Sequence, residues 1–124
     1  MNQDSFSDQQ ITDILSLRTV AVIGMSKHSS KAAHYVPKYL IDNGYDVTPV
    51  NPTAEKILNI SCYDSVSEIE GPVDIIDVFR PSEQISFIIR DCIEKKPKVI
   101  WLQEGIHDFE SEELARKAGI LVVF

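Results

Sequence analysis

With 124 residues the chain has room for one hydrophobic core, since one core serves roughly 100 to 150 residues, and no stretch of it reads as a linker. At 44% hydrophobic and 25% charged residues, with no apolar run near the roughly 18 residues that span a bilayer, the composition is that of a soluble globular domain, expected to bind no membrane. A formal net charge of −7 argues against a nucleic-acid partner, because phosphate binding of that kind rests on Lys and Arg.

The opening "MNQDSFSDQQ" lacks the basic and apolar regions of a secretory signal, so a cytoplasmic location is expected. Ser7 and Gln10 form a capping-box pattern, with Phe6 and Ile11 placed as a hydrophobic staple. A short helix within residues 1–17 is expected to pack on the domain through Ile11, Ile14 and Leu15. "TVAVIG" is then a continuous apolar strand of the kind buried on both faces in a parallel sheet. In the next helix Val36, Tyr39 and Leu40 share a face, and Asn43-Gly44 is a stop. Proline is tolerated in the first turn, so Pro37 puts the helix start within about four residues upstream and leaves Met25 to about Ala33 as open loop.

"YDVTPVNP" reads as a second strand closed by Asn51-Pro52, and "SCYDSVSEI" as a short strand or extended piece leading to a brief helix boxed by Ser65 and Glu68. "PVDIIDVF" is the next apolar strand. The helix after it repeats Ile85, Ile88, Ile89, Cys92 and Ile93 at helical spacing, with Ser82 as cap and Pro97 as stop. "KVIWLQ" is a further strand. A last helix is capped by Asp108, turns Leu114, Ala115 and Ala118 inward, and pairs Glu112 with Arg116 and Glu113 with Lys117. "ILVVF" closes the chain. Strands alternating with helices imply right-handed βαβ units, so the expected fold is a single three-layer α/β domain, a Rossmann-like doubly wound parallel sheet.

In such sheets ligands bind beyond the carboxyl ends of the strands, where the strand order reverses. The Gly24 loop, Val50-Asn51-Pro52, Phe79-Arg80-Pro81 and Leu102-Gln103-Glu104-Gly105 all end there. The first opens onto a helix N-terminus, whose free amides and positive dipole end favour phosphate. Lys27, Lys31 and the hydroxyls of Ser26, Ser29 and Ser30 add donors. Between Ile14 and Ile41 there is no acid, whereas Arg18, Lys27, Lys31 and Lys38 fall in that stretch, so one end of an acidic chain is locally basic. The turn has one glycine rather than G-x-G-x-x-G, and the second strand ends in Asn51 rather than a carboxylate, which departs from the usual nicotinamide or flavin pattern; there is also no P-loop.

Other residues suggest quieter roles. Ser26 lacks a G-x-S-x-G elbow and reads as a loop hydrogen-bonding residue. His28 and His34 contact phosphate or are exposed residues at the helix start. Arg80 meets a ligand in the crevice or pairs with Asp77 or Glu83. Asp74 and Asp77 sit in one strand with capping or edge roles, and Tyr63 and Trp101 pack. Cys62 and Cys92 are expected as free thiols, and the three histidines do not join them at metal spacing, so no metal is expected.

"VAVIGMS", "VTPVNP", "SCYDSVSEI", "VDIIDVFR" and "VIWLQEGI", in that order, resemble the small stand-alone CoA-binding proteins related to the succinyl-CoA synthetase α-subunit, over about residues 15 to 124. The resemblance implies a Rossmann-like domain that binds coenzyme A or an acyl-CoA. In that frame Gly24, Met25, Ser26, Lys27, His28, Ser29, Ser30 and Lys31 hold the phosphates. Asn51 and Pro52 border the adenosine end, Arg80 lies near the crevice, and Leu102, Gln103 and Glu104 face the pantetheine arm. Relatives commonly carry a lysine after the "VNP" motif, where this chain has Thr53, with Lys56 nearby. No catalytic residue is assigned. The alternatives are a detached α-type subunit of an NDP-forming acyl-CoA ligase and an NAD(H)-binding regulatory module; a partner protein or homo-oligomer fits any of these.

Overall fold

The computed structural model describes residues 7–103 and 105–124. Phe6, Glu104 and the side chain of Leu15 lie outside the described residues, and with them half of the expected staple and one crevice residue. The elements are α1 (Asp8–Leu15), β1 (Thr19–Ile23), α2 (Ala32–Asp42), β2 (Asp46–Val50), β3 (Lys56–Ile57), β4 (Ile60–Ser61), β5 (Ile75–Val78), α3 (Ile85–Lys95), β6 (Val99–Leu102), α4 (Phe109–Lys117) and β7 (Leu121–Val123). Five parallel strands lie in the order β2-β1-β5-β6-β7. The chain steps from β1 out to β2 and returns on the other side of β1 to β5, so the order reverses between β1 and β5 and a crevice opens at their carboxyl ends. Pro49 sits within β2, which is an edge strand and can spare an amide.

Helices cover both faces, as a doubly wound sheet requires. Alternate strand residues feed two cores. Ala21, Ile76, Val78, Ile100 and Leu102 pack against Ile85, Ile89 and Cys92 of α3 and Ala115 of α4. Val20, Val22, Ile75, Val99 and Val123 face the other way, toward Ile14 of α1 and Leu40 and Ile41 of α2.

Several expected faces turn differently. The Ser7–Gln10 capping box forms in both directions, at 3.1 and 2.9 Å, but α1 buries Ile14 and leaves Ile11 44% exposed. α2 rests on His34 and Pro37 and leaves Tyr39 68% exposed. α4 buries Ser111, Glu112 and Ala115, so Leu114 and Ala118 face solvent. Burying Glu112 works because its Oε2 accepts the Asp108 amide at 3.0 Å and lies 3.4 Å from His107, while Arg116 stands 3.8 Å from Oε1. Arg116 also reaches Glu113, in place of the expected Glu113–Lys117 pair.

Ser65 does not cap: its hydroxyl meets Ser67, and Glu68 accepts the amide of Asp64 at 3.4 Å instead of that of Ser65, so the expected box does not form. Ser82 does not cap α3 either. Its hydroxyl accepts the His107 amide at 3.1 Å and so ties the β5–α3 corner to the β6–α4 loop. The hairpin β3–β4 was not expected, since its turn is Leu58-Asn59, both at positive φ without a glycine.

Candidate functional site

The lone glycine is explained by its neighbours. Gly24 has φ +83°, and a Cβ there would stand 2.5 Å from the Phe79 carbonyl oxygen and 2.7 Å from Cδ of Arg80. No side chain fits such a gap, so glycine is what lets the β5–α3 corner close against the end of β1. The Gly24 amide donates to Val50 O and the Phe79 amide to Ile23 O, both at 2.9 Å, which knits three strand ends together.

The loop after Gly24 is held by its own backbone and by two side chains. Pro37 has no amide to offer the carbonyl of Ala33, and that carbonyl accepts the Ser26 amide instead, at 3.0 Å. α2 therefore begins at Ala32, one turn of helix plus a residue ahead of Pro37, slightly earlier than proline alone suggests. The Ser26 hydroxyl accepts the His28 amide at 3.0 Å. His34, buried beneath the loop, places Nδ1 2.7 Å from Ser26 O, and in that geometry it donates. On the other wall Asn51 Nδ2 donates to Met25 O at 2.9 Å, and Asn51 Oδ1 accepts both the amide and hydroxyl of Thr53 at 2.8 Å. His34 and Asn51 thus brace the loop from beneath and from its other wall.

These braces border a crevice of about 450 Å³. Gly24, Met25, Ser26, Lys27, His28, Lys31, Asn51, Pro52 and Arg80 all line it. Lys27, His28, Lys31 and Arg80 are exposed. Arg80 donates from Nε to Gln84 Oε1 at 3.0 Å, so among the described residues it meets neither Asp77 nor Glu83. Thr53, Asp64 and Gln84 also line the crevice. Sequence reasoning passed over Asp64 and Gln84; the helical offset of Gln84 from Arg80, i to i+4, was the available signal.

The remaining expected residues fall elsewhere. Ser29 and Ser30 are exposed in the loop but outside the crevice lining, and Met25, though it lines the crevice, is a fully buried residue of the α1/α2 core. Leu102 is corrected: its side chain is fully buried in the α3/α4 core and faces no ligand arm. Gln103 turns to the opposite face, where its Nε2 donates to Asp77 Oδ1. Asp77 is only 6% exposed, and burial, partly offset by that bond and by the Val78 amide, pushes its carboxyl up to about 7. It is neither a strand-edge nor a capping residue. Cys62 and Cys92 are free thiols, and burial pushes Cys92 up to about 12, which makes it an inert packing group.

The family model for a CoA binding domain matches residues 18–124. The uncharacterized protein YneT of Bacillus subtilis is 35% identical over 118 residues, covering 94% of this chain and 87% of YneT. An ADP-forming acetate–CoA ligase of Archaeoglobus fulgidus is 32% identical over 124 residues, covering 90% of this chain, which spans 18% of the ligase. A hypothetical protein from Pyrococcus horikoshii has the same fold at a TM-score of 0.92 with 31% identity, over 99% of this chain and 87% of that one.

Proposed function

The chain belongs to the CoA-binding domain family, and from that premise we propose that it binds coenzyme A, or an acyl-CoA, in the crevice between β1 and β5. The observation that carries the reading is the convergence of Lys27, Lys31 and Arg80 on one 450 Å³ crevice in a chain whose net charge is −7. The braced loop from Gly24 to Lys31 and the start of α2 receive the phosphates, since amides at a helix N-terminus and exposed ammonium groups are preset for anions. Asn51 and Pro52 border the adenosine end. Arg80 lines the same crevice, and the pantetheine arm runs on toward Gln103. His28 lies at the phosphate end. In this reading the chain is a binding module, and no residue is assigned a catalytic step.

Kinship to the ADP-forming ligase favours a second reading, a detached α-type subunit that works with a separate ATP-grasp chain. Co-purification of such a chain, with acyl-CoA-dependent phosphorylation of ADP by the pair and not by either alone, supports it. The first experiment is thermal unfolding with CoA, acetyl-CoA or NADH, because a ligand that binds only the folded state raises the midpoint by mass action. The reading expects both CoA compounds to stabilise and NADH not to. Stabilisation by NADH alone makes the domain a nicotinamide nucleotide module instead.

A further inference from the structure

Beside the crevice, on the α1/α2 face, lies a second cavity of about 320 Å³ that none of the phosphate-binding residues lines. Its walls are mostly aliphatic: Ile14 from α1, Val36 and Leu40 from α2, and Val20 and Ile75 from the sheet, with Tyr45 between α2 and β2 as an aromatic member. Asp77 and Gln103 are joined at one end of it, and Trp101 stands beside them, 36% exposed. The register shows which end. Val20 pairs with Ile75 near the start of the strands, whereas Asp77 is the third residue of β5 and Gln103 follows the last residue of β6. The polar pair therefore lies toward the carboxyl ends of the strands, the same edge of the sheet on which the crevice opens.

A buried carboxyl in an aliphatic pocket has a use only if something meets it, since an isolated charge there is costly to desolvate. Gln103 donates to Oδ1 and the Val78 amide also bonds the carboxyl, and the pair so held lines the end of the cavity. An apolar body carrying a single acceptor at one end fits such walls and such a cap. We infer that this cavity takes the acyl group of an acyl-CoA whose nucleotide lies in the crevice, with the Asp77–Gln103 pair meeting the thioester carbonyl. The inference rests on the crevice reading. Burial raises the carboxyl to about 7, so a substantial share of it carries a proton that can be donated to that carbonyl, which supports the assignment. The volume is about twice that of an engineered cavity of about 150 Å³ that takes up benzene, so the acyl class is short branched or aromatic, of about four to eight carbons.

The test is calorimetric titration of the full chain with CoA, isobutyryl-CoA and phenylacetyl-CoA at one salt concentration. The acyl compounds are expected to bind about tenfold more tightly than CoA, because their carbons leave water for an apolar wall. They are also expected to shift the emission of Trp101, the single tryptophan, where CoA does not. Val36→Phe and, independently, Leu40→Phe fill the cavity from α2 and are expected to erase the difference while CoA affinity stays. Equal affinity for CoA and both acyl compounds overturns the inference and leaves the crevice reading standing. An acyl preference that survives in both filled variants overturns the location. Failure of CoA itself to bind overturns both.

Discussion

The two faces of the sheet are built to different ends. On the α3/α4 face Ile76, Val78, Ile85, Ile89, Ile100 and Leu102 are all without solvent exposure, and the strands meet their helices in continuous contact. On the α1/α2 face the same strands present Asp77 and a partly exposed Trp101 to an open cavity. One face supplies stability and the other keeps room beside the edge where the crevice lies. The difference arises from helix placement: α1 has 8 residues and α2 packs on β2, and Trp101 of β6 is left partly exposed on this face.

This contrast is broken most directly by truncation on the closed face. Ile89→Ala is expected to cost about 4 kcal/mol in chemical denaturation, because the void left in a filled core cannot collapse. Leu40→Ala, half-buried over the open cavity, is expected to cost about 1 kcal/mol. Equal losses would mean that the faces are not differently packed. Gly24→Ala comes next, at about 3 kcal/mol, since the added methyl meets the Phe79 carbonyl and φ is left-handed. Its CoA affinity should fall as well, because the corner that carries Arg80 must shift.

Asp77→Asn sharpens the contrast through pH. The carboxyl of Asp77 is raised from 3.8 to about 7, so the unfolded chain releases this proton first and wild-type stability declines as pH climbs through that interval. The variant lacks the decline, and on the order of 4 kcal/mol of the pH dependence of unfolding should vanish with it. A wild-type curve with no such slope would show Asp77 ionised and paired throughout. The smallest effect is expected from Lys27→Ala with Lys31→Ala, which should weaken CoA about tenfold and flatten the salt dependence of binding without altering stability.

Much of this was legible in the amino-acid chain, and the reasons are physical. "TVAVIG", "DIIDVF" and "KVIWLQ" are strands because both their faces are apolar, and Ile85 to Ile93 keep helical spacing over two turns. The crevice followed from topology, since four loops ending on one edge need no side-chain detail. What escaped depends on partners far away in the chain. The buried face of α4 is displaced because Glu112 finds the Asp108 amide, His107 and Arg116, a set that periodicity does not register. Ser82 was read as a cap when its partner is His107, 25 residues on. Leu102 and Gln103 are adjacent and both stood as ligand-facing, yet alternation along a strand sends them to opposite faces. The lone glycine was read as a mark of the ligand, whereas its immediate cause is the Phe79 carbonyl.

The central claim is that coenzyme A lies at the carboxyl edge of β1 and β5, gripped by the loop from Gly24 to Lys31. Titration of the isotopically labelled chain with CoA, followed by amide NMR, tests it residue by residue. Saturable shifts are expected to concentrate at Gly24 to Lys31, Asn51 to Thr53 and Arg80. Shifts gathered at the amino ends of the strands, or no shift at millimolar CoA, would contradict it.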